Sequence, residues 1–225
     1  MPAAASLAPW QVPQGAYGSQ RLYRVSYSGP EGEGSFRVTL RLVSPARYQI
    51  QAVDPVGRSL WSLDVENDSG LWLNHRGRTY CLFEGRFDLS GIPLGPFPLL
   101  ALPSLLLGRV PAEPAPGSPA VPARARQFDF LDAAHRRWSG ALDEEGRVLS
   151  WTLSEGSAPK TSFLRRDDWA ILSDRERGVQ VRWRESLHED LDREPPRLEA
   201  PAGYRQVPCG EQQVPEGTGE EDRER

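Results

Sequence analysis

Residues 36–42 read Phe36-Arg37-Val38-Thr39-Leu40-Arg41-Leu42, and this heptad decides the fold. Apolar and polar side chains alternate with period two. That spacing sends Phe36, Val38, Leu40 and Leu42 to one side of a strand and Arg37, Thr39 and Arg41 to the other. Tyr48, Ile50 and Ala52 continue the alternation. Trp61, Leu63 and Val65 follow, then Leu71 and Leu73, then Tyr80 and Leu82. Turn chemistry separates the runs at Gly29-Pro30, Asp54-Pro55, Asn67-Asp68 and Arg76-Gly77. The pattern predicts an antiparallel meander over about residues 21–83.

A second patterned block begins near Arg126. Phe128 and Phe130 alternate, Trp138 and Leu142 follow, and Glu144-Glu145-Gly146 turns the chain into Leu149, Trp151 and Leu153. Trp169 and Ile171 pair, through a polar turn, with Val179, Val181 and Trp183. Roughly eleven strands result, which fits one large antiparallel sheet, curled or closed as a barrel. Between the blocks, residues 92–108 are apolar without alternation. Pro103 can open a short helix and Gly108 can close it. Residues 111–122 read as an exposed Pro/Ala linker.

Composition narrows the function. The chain has 225 residues, a net charge of −4 and 38% hydrophobic residues, enough for one domain with a real core. Residues 210–225 hold six acids and two bases, so the remainder is nearly neutral and carries no basic stripe suited to nucleic acid. His75, His135 and His188 show no metal-ligand spacing and no evident serine or cysteine nucleophile in sequence. No nucleophile elbow, P-loop or dinucleotide fingerprint occurs. Asp167-Asp168 and Glu144-Glu145 are paired carboxylates at predicted turns, where solvation is the default. Catalysis, metal and cofactor are therefore not expected. The two cysteines, Cys81 and Cys209, could bridge in an oxidising compartment; the plainer expectation is a half-buried Cys81 and a free Cys209. No stretch is apolar and long enough to span a membrane as a helix. The first residues lack the features of a signal peptide, which leaves a cytosolic protein or one whose targeting segment has been removed.

Four segments, in order, resemble the LolA/LolB lipoprotein carriers, LolB above all. Residues 47–63, Arg47-Tyr48-Gln49-Ile50-Gln51-Ala52-Val53-Asp54-Pro55-Val56-Gly57-Arg58-Ser59-Leu60-Trp61-Ser62-Leu63, are similar to that family's strand, Pro-apolar-Gly turn and strand. Residues 70–80 fit its next hairpin, residues 105–111 its apolar helix ending in Leu-Gly, and residues 169–183 its final hairpin. The resemblance implies a strongly curved antiparallel sheet, an incomplete barrel, with a short helical lid. It implies a monomer that holds acyl chains of lipids or lipoproteins in the periplasm or at the periplasmic face of the outer membrane. The lipid-binding residues it points to are Phe36, Val38, Leu40, Leu42, Tyr48, Ile50, Trp61 and Leu63 on the sheet. Leu99, Leu102, Leu105 and Leu106 would form the lid at the cavity mouth, and Val56 would be an apolar tip touching a membrane. A non-catalytic envelope sensor or a structural lipoprotein of the same fold is the alternative. The expected organisation is an N-terminal segment to residue 20, the lipid-binding domain over 21–190, and a largely disordered Pro-rich, acidic tail over 191–225.

Overall fold

The computed structural model describes residues 17–30, 32–44, 46–84, 102–116, 125–156 and 158–209. Thirteen strands form one sheet: β1 (Ser19–Gly29), β2 (Gly32–Ser44), β3 (Arg47–Val53), β4 (Ser59–Glu66), β5 (Ser69–Asn74), β6 (Thr79–Glu84), β7 (Gln127–Leu131), β8 (Arg137–Leu142), β9 (Val148–Glu155), β10 (Ala158–Arg166), β11 (Trp169–Asp174), β12 (Val179–Asp190) and β13 (Arg205–Gln206). One short helix, α1 (Leu102–Leu106), lies between β6 and β7. The strand order is β13-β6-β5-β4-β3-β2-β1-β12-β11-β10-β9-β8-β7. The sheet is curved and antiparallel apart from β13, and it is not closed into a barrel.

Two meanders make up this sheet, as the patterning predicts. They meet where β1 pairs with β12, with Val25 opposite Trp183 and Arg24 opposite Arg184. One concave face then runs through both halves. The register Leu40–Ile50–Leu63–Trp72–Cys81 fixes its parity across β2 to β6. In the other half Trp138, Trp151, Phe163 and Trp183 stack in sequence at centroid separations of 5.2, 5.7 and 5.8 Å. These large aromatic rings fill the curve with few residues.

In three strands the inward side is the reverse of the sequence reading. Trp72, not Leu71 and Leu73, faces the concave core. Cys81 and Phe83 point in where Tyr80 and Leu82 were read, and Ala170 and Leu172 point in where Trp169 and Ile171 were read. The second apolar face of β5 has a physical cause: it is also buried, by the C-terminal segment.

That segment corrects the expected boundary at residue 190. Residues 191–209 cross the convex side of β3 to β6 as a strap. Gln49 Nε2 donates to the Pro196 carbonyl at 2.6 Å, and the Leu198 N–H donates to the buried Asp64 carboxylate at 2.7 Å. Arg197 pairs with Asp64 and Glu66 at 3.3 and 2.6 Å. The strap then joins the edge of β6 as β13 and ends in a disulfide between Cys209 and Cys81. The expectation of a free Cys209 is thereby overturned, because β13 brings the two Cα atoms to 5.4 Å, within disulfide reach. Residues 210–225 lie outside the described residues. The supposed exposed linker is also partly packed in its first half: Pro111 is buried, Ala112 packs against the core, and the Ala115 N–H donates to the Leu131 carbonyl at 2.8 Å.

Three hairpin turns share one construction that the sequence reading passed over. Asp54, Asp132 and Asp143 each stand four residues before an arginine, and each carboxylate accepts that arginine's N–H and Nε–H. The fourth position takes positive φ, at Gly57 (92°), His135 (59°) and Gly146 (76°). The Asp-x-x-x-Arg spacing is a legible local signal.

Candidate functional site: the concave face and its helix

The helix α1 sits against the concave face. Leu102, Leu105 and Leu106 are buried, at 1%, 0% and 5% exposure, and pack into the interior as a plug. A helix this short cannot hold itself in water, so its packing on the sheet stabilises it. Two polar ties add to the packing. Trp183 Nε1–H donates to the Leu106 carbonyl at 3.2 Å, and the Arg165 guanidinium lies 3.5 Å from the Leu107 and Gly108 carbonyls. Gly108 closes the turn at φ 67°. A Cβ there would fall 2.0 Å from an Arg165 nitrogen, so Gly108 also makes room for that cap.

A residual void of about 10 Å³ remains between α1 and the sheet, room for about one water. Phe36, Val38, Ile50, Trp61 and Leu106 of the expected lining surround it, with Val25, Val181 and Trp183. The last three are not among the expected lining residues, although their alternation marks them as inward-facing. Leu40, Leu42, Tyr48 and Leu63 are on the same face but are at most 1% exposed and do not border the void. Leu99 lies outside the described residues.

Phe36 also borders an open groove of about 360 Å³ at one end of the sheet, with Tyr27, Leu60, Val56, Arg58 and Arg76. The groove and the inner void therefore adjoin at one side chain. Val56 stands at its rim with 77% of its surface exposed. Asp54 sets that position: its carboxylate accepts the N–H of Val56 at 3.1 Å and that of Arg58 at 2.9 Å. Burial would raise the Asp54 carboxyl, but the bonds from Arg58 and Val56 outweigh it and hold it below the ordinary carboxylate range.

Tertiary structure does place one histidine beside a serine. On the convex side, His75 Nε2 lies 2.8 Å from Ser62 Oγ, and Nδ1 lies 2.9 Å from the Tyr204 hydroxyl of the strap. Ser62 is buried under this cover. Burial holds the His75 imidazole below its ordinary value, so folding favours the neutral ring. The stabilisation is then fully present above the unfolded value, about 6.5, and fades as pH falls below it. Acidification to about pH 5 is expected to lower the exchange protection factors, taken relative to the intrinsic rate at each pH, of Arg205 and Val207, whose N–H groups tie the strap to β6. The variant His75→Gln should lose that pH dependence; protection equally pH-dependent in both proteins would remove His75 from the strap's control.

No family model matches the chain, and no curated protein matches it. Solved structures do. A LolA superfamily protein from Nitrosomonas europaea is 11% identical, with 87% of this chain and 96% of that one covered, at a TM-score of 0.45. A DUF1329 family protein from Desulfovibrio piger is 7% identical, with 79% and 87% covered, at a TM-score of 0.51. An outer membrane lipoprotein-sorting protein domain from Vibrio parahaemolyticus is 10% identical, with 80% and 87% covered, at a TM-score of 0.42. At these identities the likeness is one of fold alone, an open, curved antiparallel sheet. None of the three is described as a LolB.

Proposed function

We propose that this protein binds acyl chains of lipids or lipoproteins on its concave face, without catalysis, and carries or receives them as a monomer in the bacterial cell envelope. The observation that carries this reading is α1, a short leucine plug set against an apolar wall that spans both meanders. An acyl chain can replace leucine contacts with its own methylenes, each worth about 0.8 kcal/mol on leaving water. A dozen methylenes amount to roughly 10 kcal/mol, of the order needed to displace one short helix. The disulfide fits an oxidising compartment such as the periplasm. The small residual void favours a second reading, a structural envelope lipoprotein whose interior stays filled. Native mass spectrometry, followed by titration of the delipidated protein with a fluorescent fatty acid, separates the two. Bound lipid and saturable probe binding support the first reading; neither appears under the second.

Val56 extends this reading to membrane contact. A lone valine contributes only about 1–2 kcal/mol on burial, enough to assist insertion but not to anchor the protein. Val56→Glu is expected to slow cargo delivery to liposomes several-fold while leaving acyl binding unchanged. Unchanged delivery would make Val56 an ordinary turn residue.

A further inference from the structure

The convex face carries a charge arrangement that folding does not explain. Arg184, Arg24 and Arg37 are directly opposed on three adjacent central strands, β12, β1 and β2. Like charges in direct cross-strand register are destabilising. The row continues on both sides. Arg37 is opposite Val53, and its guanidinium reaches to 3.9 Å of where a Cβ on Gly57 would lie, in the Val56 turn. At the other end Trp169 stands beside Arg184, one residue from the Ala170–Trp183 pair, and Arg166 is opposite Trp169. Arg182 and Arg184 hold the Trp169 ring at 4.8 and 5.1 Å.

Compensation within the fold is slight. Asp168, itself exposed, pairs with Arg184 at 3.0 Å. Among the described residues no carboxylate pairs with Arg24, Arg37 or Arg166, and all three are exposed. At about 4.8 Å between strands, the row from Arg166 to Val53 spans about 24 Å. Apolar side chains flank it. Leu164 and Leu187 are 48% and 45% exposed; Leu164 is opposite Ile171, and Leu187 is opposite Leu22.

We propose that this face, from Arg166 and Trp169 through Arg184, Arg24 and Arg37 to the Val56 turn, docks on an anionic phospholipid bilayer. The chemistry selects that partner. Guanidiniums take phosphate oxygens bidentately, a tryptophan at the row's end suits the headgroup level, and exposed leucines suit the acyl boundary. A soluble polyanion would use the arginines and leave the leucines in water. The surface is on the opposite side of the sheet from α1, so docking leaves the concave face free.

The test uses the full chain with its disulfide intact and phosphatidylcholine vesicles with and without phosphatidylglycerol, in sedimentation at low and high salt. Strong binding is expected only to the anionic vesicles, with loss at high salt. Each arginine near such a surface contributes about a five-fold factor, so Arg24→Gln, Arg37→Gln and Arg184→Gln together should weaken binding on the order of a hundred-fold. The same variant should unfold at an equal or higher temperature than the parent, because the opposed charges are gone. A control carrying Arg126→Gln, Arg137→Gln and Arg175→Gln makes the same charge change elsewhere and should bind nearly as the parent does. Three results overturn the proposal: no preference for anionic vesicles, equal binding by the row variant and the control, or binding to soluble polyphosphate without binding to vesicles. Fatty-acid binding measured on the same row variant reports on the concave face independently, so a failed docking surface and a failed acyl site give different patterns.

Discussion

Reducing the Cys81–Cys209 disulfide, or replacing both cysteines by alanine, is expected to lower stability by about 3–5 kcal/mol. The bond joins residues 128 apart, so it removes many conformations from the unfolded chain. For a loop of that size the chain-entropy account predicts a loss near the top of the range. In a domain of this size the thermal midpoint should fall by roughly ten degrees. Circular dichroism melts with and without reductant measure it. The loss has a structural route, because β13 and the strap are tied at their end by this bond. Leu71 and Leu73, buried on the convex side at 7% and 2% exposure, should then gain hydrogen exchange before the concave core does. A midpoint unmoved by complete reduction would mean that the Asp64, Gln49 and β13 contacts hold the strap unaided.

The second large effect falls on α1. Leu105 is fully buried, and Leu105→Ala should cost about 2–5 kcal/mol in the plugged state. If the helix must leave for an acyl chain to enter, part of that loss returns as affinity. Delipidated Leu105→Ala is then expected to bind a fluorescent fatty acid tenfold or more tightly than the parent. The gain requires only that the plugged state be weakened more than the loaded one. Tighter binding together with a lower melting temperature would mark α1 as a competitor for the acyl site. Weaker binding would instead place these leucines over the bound chain, and unchanged affinity in a folded variant would separate α1 from the site altogether.

Most of the sheet was legible because strand alternation is local. Phe36 to Leu42 declares its inward face without reference to any other residue, and Asp54-Pro55-Val56-Gly57 declares its turn. The reading failed where both faces of a strand are apolar. In β5, Leu71, Trp72 and Leu73 are consecutive apolar residues, and period two cannot choose between them. Trp72 turned inward because Leu63 and Cys81 flank it in register, while Leu71 and Leu73 are covered by the strap. In β11 the alternation of Trp169 with Ile171 is matched by that of Ala170 with Leu172, and Trp169 lies outside, between two arginines.

The sequence by itself determined the two meanders, the Val56 turn, the position of one short leucine helix and the class of fold. Those properties depend on neighbours within a few residues. Only the tertiary structure decided the pairing of β1 with β12, which merges the meanders into one concave face. It also decided that α1 fills that face, that residues 191–209 wrap the convex side and cross-link Cys209 to Cys81, and that Arg24, Arg37 and Arg184 stand in one row. Each of these joins residues far apart in the chain, through register and packing, and neither is encoded in any single stretch of residues.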